Sequence, residues 1–466
     1  MAPLKASPRL VLHFDINETI MLGDPAGGDS YEDTLHKVIA KVAFVRPNPA
    51  AGTAEGRWTE YVWHDGSPLD PLCREVGAPP PPLFFDWNLP EGVTAFYKVH
   101  ALKQFAKCFA TPGSPGEIYA AELERLRDAL RWPEGTPPDP RLSADGYYTF
   151  LPAFFHTLSE LAAGDRDFSI VLRTFGTDLP HVAAAVSAFA DGEHPLWKGQ
   201  KFPSLRLRAR DLWSGRYGAE TGAFTLRRPH TDERHDERVS SARAAALAAL
   251  AAADEDGTPV EPRTLATDLE VAAELSGARH DAELSGARHD AELRGARHDA
   301  DLSGARHDAE LRGAPAPSDR SAVSGVPRAP RGSICGVTDH YEWWREREYA
   351  PSAGKPFFWT LDDVTTHTLF FDDNIHNDPD DSIVAVRARR DASSPYHPLS
   401  GDATRKLHGL MLRKVPTIKP ILERGWFLEQ LAASEAKLAA MRSAEVDGGE
   451  RDGGPLAEIR AMLPCA

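Results

Sequence analysis

The chain has 466 residues, 42% of them hydrophobic, which is enough for about two or three folded units with at least one large buried core. Its formal net charge of −16 repels nucleic acids and anionic lipid surfaces, so neither is expected as a partner. The four cysteines form no CxxC pair, which disfavours a disulfide scaffold and a thiolate zinc site and indicates a reducing compartment.

The sequence also predicts a cytoplasmic protein without a membrane span. No stretch approaches the roughly 18 consecutive apolar residues that a spanning helix needs. The short polar N-terminus runs directly into a strand and leaves no room for the apolar part of a signal peptide.

The first predicted element is an apolar run at residues 10–14, typical of a strand that is buried on both faces of a parallel sheet. It ends abruptly in the polar sequence DINET at 15–19. Ser30, with Asp33 three residues later, is a helix N-cap pattern, and apolar side chains on one helical face predict a helix over 31–44. Residues 1–45 are therefore the first part of an α/β core.

Residues 46–145 differ in composition, because proline-rich segments such as 79–82 alternate with aromatic segments such as 58–63. We interpret them as a module that is inserted into the core and has irregular connections. The alternative is a set of surface loops, although so many aromatic side chains need burial.

The second part of the core is predicted at 146–227. Pro152 suits the first turn of a helix, and a second buried strand is expected at 168–172. Polar residues follow this strand at 173–178, and another helix is expected to begin near Pro180.

Residues 228–331 lose the character of a packed core. An alanine-rich helix is expected at 240–253, and the nonapeptide AELSGARHD recurs from 273 to 308. Nine residues at about 100° each place successive leucines on opposite sides of a helix, and each unit also contains a glycine. The repeats therefore predict a disordered, low-complexity linker, and their histidines are not expected to form a metal site.

The third part of the core is predicted at 332–445. A third buried strand is expected at 368–371, followed by Asp372 and Asp373, and a fourth at 382–387. A C-terminal helix is expected at 420–444, and residues 446–466 are expected to form a disordered tail.

Three of the predicted strands thus end in polar, reactive side chains. Ligands of an open parallel sheet bind at the carboxyl ends of the strands. We therefore expect Asp15, Thr174 and the pair Asp372 and Asp373 to converge, with Lys355 nearby on a loop or helix.

The order of these segments resembles the four motifs of the haloacid-dehalogenase-like (HAD-like) hydrolases. The matching sequences are FDINET at 14–19, LRT at 172–174, GKP at 354–356 and FFDD at 370–373. Each alone is weak, but the four in this order are a strong signal. The resemblance implies an α/β fold, a three-layer Rossmann-like parallel sheet, with residues 46–145 as a cap over the site.

The resemblance also implies roles for individual residues. Asp15 is the nucleophile, and Mg²⁺ is held by Asp15, the backbone carbonyl of Asn17 and one of Asp372 or Asp373. Lys355 supplies positive charge to the phosphate and the nucleophile. The candidates for substrate binding are Thr19, Arg173, Thr174, Gly176 and Asn377. Asn377 or Asp378 is also expected to hold a metal-bound water.

One position departs from the family pattern. HAD-like phosphatases usually have an aspartate two residues after the nucleophile, and here that position is Asn17, which cannot shuttle a proton. Three functions therefore remain open: a Mg²⁺-dependent phosphohydrolase acting on a small phosphorylated molecule or a phosphoprotein, a 2-haloacid-dehalogenase-type hydrolase, and a binding protein with little or no activity.

Overall fold

The computed structural model describes residues 7–23, 28–228, 260–276, 332–446 and 455–463. Its strands are β1 (Arg9–Asp15), β2 (Phe44–Pro47), β3 (Tyr61–Trp63), β4 (Thr94–Ala95), β5 (Ser143–Ala144), β6 (Tyr147–Tyr148), β7 (Phe168–Thr174), β8 (Leu212–Tyr217), β9 (Phe224–Arg228), β10 (Arg263–Leu265), β11 (Ser333–Thr338), β12 (Lys355–Thr360), β13 (Thr366–Asp372), β14 (Val384–Arg389), β15 (His397–Pro398) and β16 (Leu412–Lys414). Its α-helices are α1 (Tyr31–Val42), α2 (His100–Lys103), α3 (Ala120–Leu130), α4 (Pro152–Ala163), α5 (Leu179–Ala190), α6 (Asp268–Leu275), α7 (Tyr341–Glu346), α8 (Gly401–Lys406), α9 (Ile418–Leu422), α10 (Trp426–Val446) and α11 (Pro455–Met462).

The protein has an α/β fold around an eight-stranded, mostly parallel sheet in the order β10-β9-β8-β11-β7-β1-β13-β16. The six strands from β8 to β16 in this order run parallel to one another. β9 pairs with β8 in antiparallel orientation, and β10 pairs with β9 in the same way. β1 therefore lies between β7 and β13, so the carboxyl ends of the three predicted strands meet at one edge of the sheet. These strands and the helices α1, α4 and α5 confirm the corresponding sequence predictions, although α1 ends at Val42.

Alternation along the strands divides the core between the two faces of the sheet. Leu10, Leu12 and Phe14 of β1 face a large cluster that includes the apolar sides of α1, α4, α5, α9 and α10. Val11 faces the opposite cluster, which includes apolar residues of β8 to β11 and α6. Helices and the sheet thus form separate layers, as expected of the Rossmann-like class.

The predicted fourth strand exists as β14, but it belongs to a different sheet. It pairs with β12 in parallel and with β15 in antiparallel orientation to form a second, three-stranded sheet. Phe357 of this second sheet packs against Phe370 of β13, so the small sheet lies on one face of the large one.

The aromatic side chains of 46–145 are buried together. Trp63 packs against Phe96 and Tyr119, with ring centroids 6.0 and 5.5 Å apart. These rings belong to the same apolar cluster as α1, α3 and α4. The module is therefore packed continuously onto the helical layer of the core.

Two segments differ from the sequence predictions. Residues 260–276, inside the predicted linker, contribute β10 to the sheet edge and bury Val271 and Leu275 of α6. Residues 455–463, inside the predicted disordered tail, form α11 and bury Leu456 and Ile459 against the second sheet. Both corrections have the same cause, since a few apolar side chains suffice when the core offers a complementary face. The first nonapeptide begins inside α6, and the helix predicted at 240–253 lies outside the described residues.

The predicted C-terminal helix is interrupted. Glu423 adopts an extended conformation, so α9 ends at Leu422 and α10 begins at Trp426.

Leu275→Ala tests whether α6 belongs to the folded core. We expect it to lower the free energy of unfolding by about 2 to 5 kcal/mol, the usual cost of truncating a buried leucine. Leu269→Ala in the same helix is the control, because Leu269 is 58% exposed and its truncation should change stability by less than about 0.5 kcal/mol. Urea unfolding of both variants measures the difference, and equal small effects would show that α6 does not contribute to the core.

Candidate functional site

The centre of the candidate site is a lysine between two aspartates. Lys355 donates one hydrogen bond to Asp15 Oδ1 at the end of β1 and another to Asp372 Oδ2 at the end of β13, the latter at 2.8 Å. The Lys355 side chain is fully buried. The sequence prediction of a loop or helix for Lys355 is wrong, because Lys355 is the first residue of β12 in the second sheet.

Asp373 completes an acidic cluster. One carboxylate oxygen each of Asp15, Asp372 and Asp373 can be chosen so that all three atoms lie within 4.8 Å of one another, and all three residues are buried. This is the oxygen-rich geometry that a hard divalent cation prefers. The structure therefore brings together the three carboxylates that the sequence assigns to the metal.

A second set of ion pairs surrounds this cluster. Lys41 of α1 bonds to Asp373 Oδ2 at 2.7 Å and to Glu18 Oε2 at 2.6 Å. Lys37, one helical turn earlier, also pairs with Glu18 and reaches Asp29 Oδ2 at 2.7 Å. Buried positive and negative groups thus alternate from Lys355 outward to Asp29, which offsets the large cost of burying each charge alone.

The pKa values reflect the excess of carboxylates at the centre. Burial raises the pKa of Asp15 well above its ordinary value, Lys355 opposes this shift, and Asp372 and Asp373 add to it. Burial also raises the pKa of Asp373 to about 6, although Lys41 opposes it. For Lys355, burial alone would lower the pKa, but Asp15 and Asp372 raise it above its ordinary value. Lys355 therefore stays charged, and further positive charge nearby would stabilise the charged forms of Asp15 and Asp373.

The loop after β1 is held in a tight turn. Glu18 has a positive φ of 58°, and its amide donates to the carbonyl of Met21. Thr417 Oγ1 donates to the Glu18 carbonyl, and the Glu18 carboxylate is held by Lys37 and Lys41. Burial alone would raise the pKa of Glu18, but the two lysines hold it below its ordinary value. A charged Glu18 thus fixes the turn that presents Asp15 and Asn17.

A second loop, after β7, contacts this turn. Asn17 Nδ2 donates to Asp178 Oδ2 at 2.9 Å, and Asp178 is buried. The hydroxyl of Thr174 accepts a hydrogen bond from the Gly176 amide at 2.7 Å, which leaves its proton available to donate. A Cβ atom at position 176 would collide with the Asp178 carboxylate, so the close approach requires glycine.

Arg173 lies in a buried ion pair beside the beginning of β12. It is fully buried, pairs with both carboxylate oxygens of Asp339, and donates to the carbonyl of Pro356 at 2.9 Å. Its guanidinium is thus engaged on the face of the sheet that packs against β12, where it anchors the beginning of β12 beside Lys355. The assignment of Arg173 to substrate binding stays a prediction.

The other predicted residues lie in different surroundings. Thr19 is buried, and its hydroxyl has no hydrogen-bond partner in the described part of the chain. Asn377 donates to Trp87 O and Asn88 Oδ1 at 3.3 Å each, so it joins the inserted module to the core. Asp378 accepts from the amide of Asp380 in an exposed turn. Neither contact connects 377–378 to the acidic cluster.

Sequence reasoning missed Glu18, Lys37, Lys41, Asp178 and Asp339. Lysines at 37 and 41 are spaced i and i+4 on one face of α1, which is a weak signal of a shared partner. Asp178 stands only four residues after Thr174, in the polar stretch that follows a buried strand, and that position marks it as a candidate.

The fold and this site define the class of protein as an α/β protein with a buried cluster of aspartates and lysines at the carboxyl edge of its sheet. No family model, curated protein sequence or solved structure matches the chain. None of the described helices combines the length and the apolar composition that a membrane crossing requires.

Asp15→Asn is expected to increase the free energy of unfolding at pH 7 by roughly 1 to 3 kcal/mol, because it removes an incompletely compensated buried charge. The folded-state pKa of Asp15 lies above the unfolded value of about 3.9. Its penalty is therefore absent in acid and grows as the pH rises between these two pKa values. The gain should vanish below about pH 4.

Chemical denaturation across this pH range measures the effect. Asp139→Asn is the contrasting control, since hydrogen bonds from Arg141 lower the pKa of Asp139. That substitution should destabilise the protein at pH 7, and the loss should diminish as the pH falls through the lowered pKa. Destabilisation by Asp15→Asn at pH 7 would mean that the ion pair with Lys355 outweighs the desolvation of Asp15.

Proposed function

We propose that the protein is a Mg²⁺-dependent phosphohydrolase of the HAD-like type, with Asp15 as the nucleophile. The observation that carries this proposal is the placement of Lys355 between Asp15 and Asp372, with Asp373 beside them. These residues come from all but one of the motifs that resemble the family. Thr174, from the remaining motif, follows Arg173, which lies opposite Asp15 in the neighbouring strand β7.

The side chains fit a magnesium ion. The pKa values of Asp15 and Asp373 are raised by burial, so a cation beside them would remove an existing electrostatic penalty. Asn17 Oδ1 is a buried acceptor without a hydrogen-bond partner among the described residues. Asp15, the backbone carbonyl of Asn17, Asp372 and Asp373 would hold the ion, and Mg²⁺ would neutralise charge on the phosphoryl group.

The protein's own residues would perform the remaining steps. A carboxylate oxygen of Asp15 bonds to phosphorus while the bond from phosphorus to the leaving oxygen breaks, and water then hydrolyses the aspartyl phosphate. Lys355 holds Asp15 in place and supplies positive charge near the transferred group. The Thr174 hydroxyl, fixed by the Gly176 amide, donates to a phosphoryl oxygen.

A carboxyl group close to Asn17 would replace the acid that this position lacks. The leaving oxygen needs a proton, and Asn17 cannot supply one. Asp178 accepts a hydrogen bond from the Asn17 side-chain amide and lies on the loop that follows Thr174. We therefore assign the acid and base role to Asp178, with Asn17 orienting its carboxyl group.

Residues 46–145 would act as the cap. Trp87 stacks on His408 with ring centroids 3.7 Å apart, and Lys98 pairs with Asp381 at 2.7 Å. These contacts connect the module with the segments that follow β13 and precede β16, beside the acidic cluster.

Phosphate release from a panel of phosphomonoesters, with and without Mg²⁺, tests the function. Wild type is expected to turn over at least one ester only with Mg²⁺, and Asp15→Asn should abolish turnover without loss of folding. Halide release from 2-haloacids without metal would favour the dehalogenase alternative. Binding of Mg²⁺ and phosphate without turnover of any substrate would favour the binding protein.

Asp178→Asn is expected to lower kcat by about 10² to 10⁴ for an alkyl phosphate, the usual contribution of general acid and base catalysis. The loss should be much smaller for an acyl phosphate, whose leaving group needs no proton. Asn17→Asp should restore activity in the Asp178→Asn background, because it returns a carboxyl group to the usual position. Equal losses for both substrates, without rescue, would limit Asp178 to a structural role.

A further inference from the structure

A cleft of about 260 Å³ lies beside the acidic cluster, between the inserted module and the core. The module contributes residues 84–87, Leu89 and Lys98, and the core contributes Phe44, residues 376–378 and Lys414. Lys41 also lines this cleft and bonds to Asp373 of the acidic cluster. A molecule in the cleft would therefore be one side chain away from the proposed metal ligands.

One cation on the core side of the cleft has no direct counterion among the residues that the structure describes, although the acidic side chains Asp86 and Asp378 also line the cleft. Lys414, the last residue of β16, has no ion pair or hydrogen bond from its amino group to any described residue, and it is only partly exposed. Burial and the nearby Lys98 lower the pKa of Lys414 to about 8. Burial keeps His376 neutral, with a pKa of about 2. Lys414 is thus a cation for which the surrounding side chains provide no direct counterion.

Apart from Asp86 and Lys98, the opposite wall of the cleft is mainly apolar and aromatic. Phe85 is 37% exposed and Leu89 is 43% exposed, although both are large hydrophobic side chains. Phe84 stands at right angles to Phe44, with ring centroids 5.7 Å apart. Apolar walls with a few convergent polar groups are typical of small-molecule sites.

From this juxtaposition we infer that the cleft binds the leaving-group part of the substrate, an aromatic body that carries a second anionic group. The aromatic wall contacts the body, and Lys414 pairs with the anion. The assignment of the cleft to the leaving group rests on the proposed function. The preference of the cleft for aromatic anions rests only on the residues that line it.

Binding of a matched pair of probes tests this preference without turnover. By isothermal titration calorimetry, wild type should bind 2-naphthoate more tightly than the uncharged 2-naphthol. Lys414→Met should weaken naphthoate binding about tenfold or more and leave naphthol binding unchanged, because it removes a charge-assisted contact and keeps the side-chain length. Lys201→Met, at an exposed lysine outside the cleft, is the control and should change neither affinity.

The apolar wall has its own variant. Leu89→Ser should weaken both probes, whereas Leu72→Ser should weaken neither, since Leu72 is 86% exposed and lies outside the cleft. Equal affinity of wild type for the two probes would overturn the inference. So would an unchanged naphthoate affinity in Lys414→Met.

Kinetics separates this inference from the proposed function. With phenyl phosphate and 3-carboxyphenyl phosphate as substrates, Lys414→Met should lower kcat/KM about tenfold for the carboxylated ester only. The expected probe binding without turnover of these two esters or of any ester of the panel, in the presence of Mg²⁺, would support the ligand class of the cleft and overturn the phosphohydrolase. Turnover of both esters with no preference that depends on Lys414 would support the phosphohydrolase and overturn the leaving-group site.

Discussion

The buried ion pairs of Lys355 are the constraint on which the rest of the site depends. Lys355 belongs to the second sheet, whereas Asp15 and Asp372 belong to neighbouring strands of the central sheet. An ammonium group without exposure to water is tolerated only when partners compensate its lost hydration. The second sheet must therefore pack on the first in the one position that brings Lys355 between the two carboxylates, and Arg173 supports this position through Pro356.

The same requirement extends along the carboxyl edge of the sheet. Lys355 compensates two of the carboxylates, and Asp373 takes its positive partner from Lys41 of α1. Lys41 is in turn shared with Glu18, which fixes the turn after β1. The strand, the turn and the helix are thus connected by ion pairs, and removal of Lys41 would leave Asp373 without its positive partner and Glu18 with Lys37 alone. Because burial still raises the pKa values of Asp15 and Asp373, the network is short of positive charge at the position of the proposed metal ion.

The sequence predicted the parts of this arrangement that depend on local patterns. Continuous apolar runs predicted β1, β7 and β13, and the polar residues at their ends predicted Asp15, Thr174 and Asp372 as neighbours. It could not predict the partners of individual charges, because these depend on tertiary packing. Arg173 and Thr174 are adjacent in β7 and so point to opposite faces, and only the position of β12 shows which groups the Arg173 guanidinium contacts. Similarly, α6 and α11 are short helices whose stability comes from the faces they cover.

The distribution of charge connects the acidic cluster with the cleft next to it. The chain as a whole has a net charge of −16, whereas the cleft is lined by Lys41, Lys98 and Lys414 together with Asp86 and Asp378. Lys41 is neutralised by buried carboxylates and Lys98 by the exposed Asp381, whereas Lys414 has only the more distant field of Asp373 and Asp381. A partly buried cation in this situation reduces stability, since no direct partner offsets its lost hydration. Uncompensated charges of this kind are typical of positions where a ligand supplies the opposite charge. An anion in the cleft would compensate the charge of Lys414.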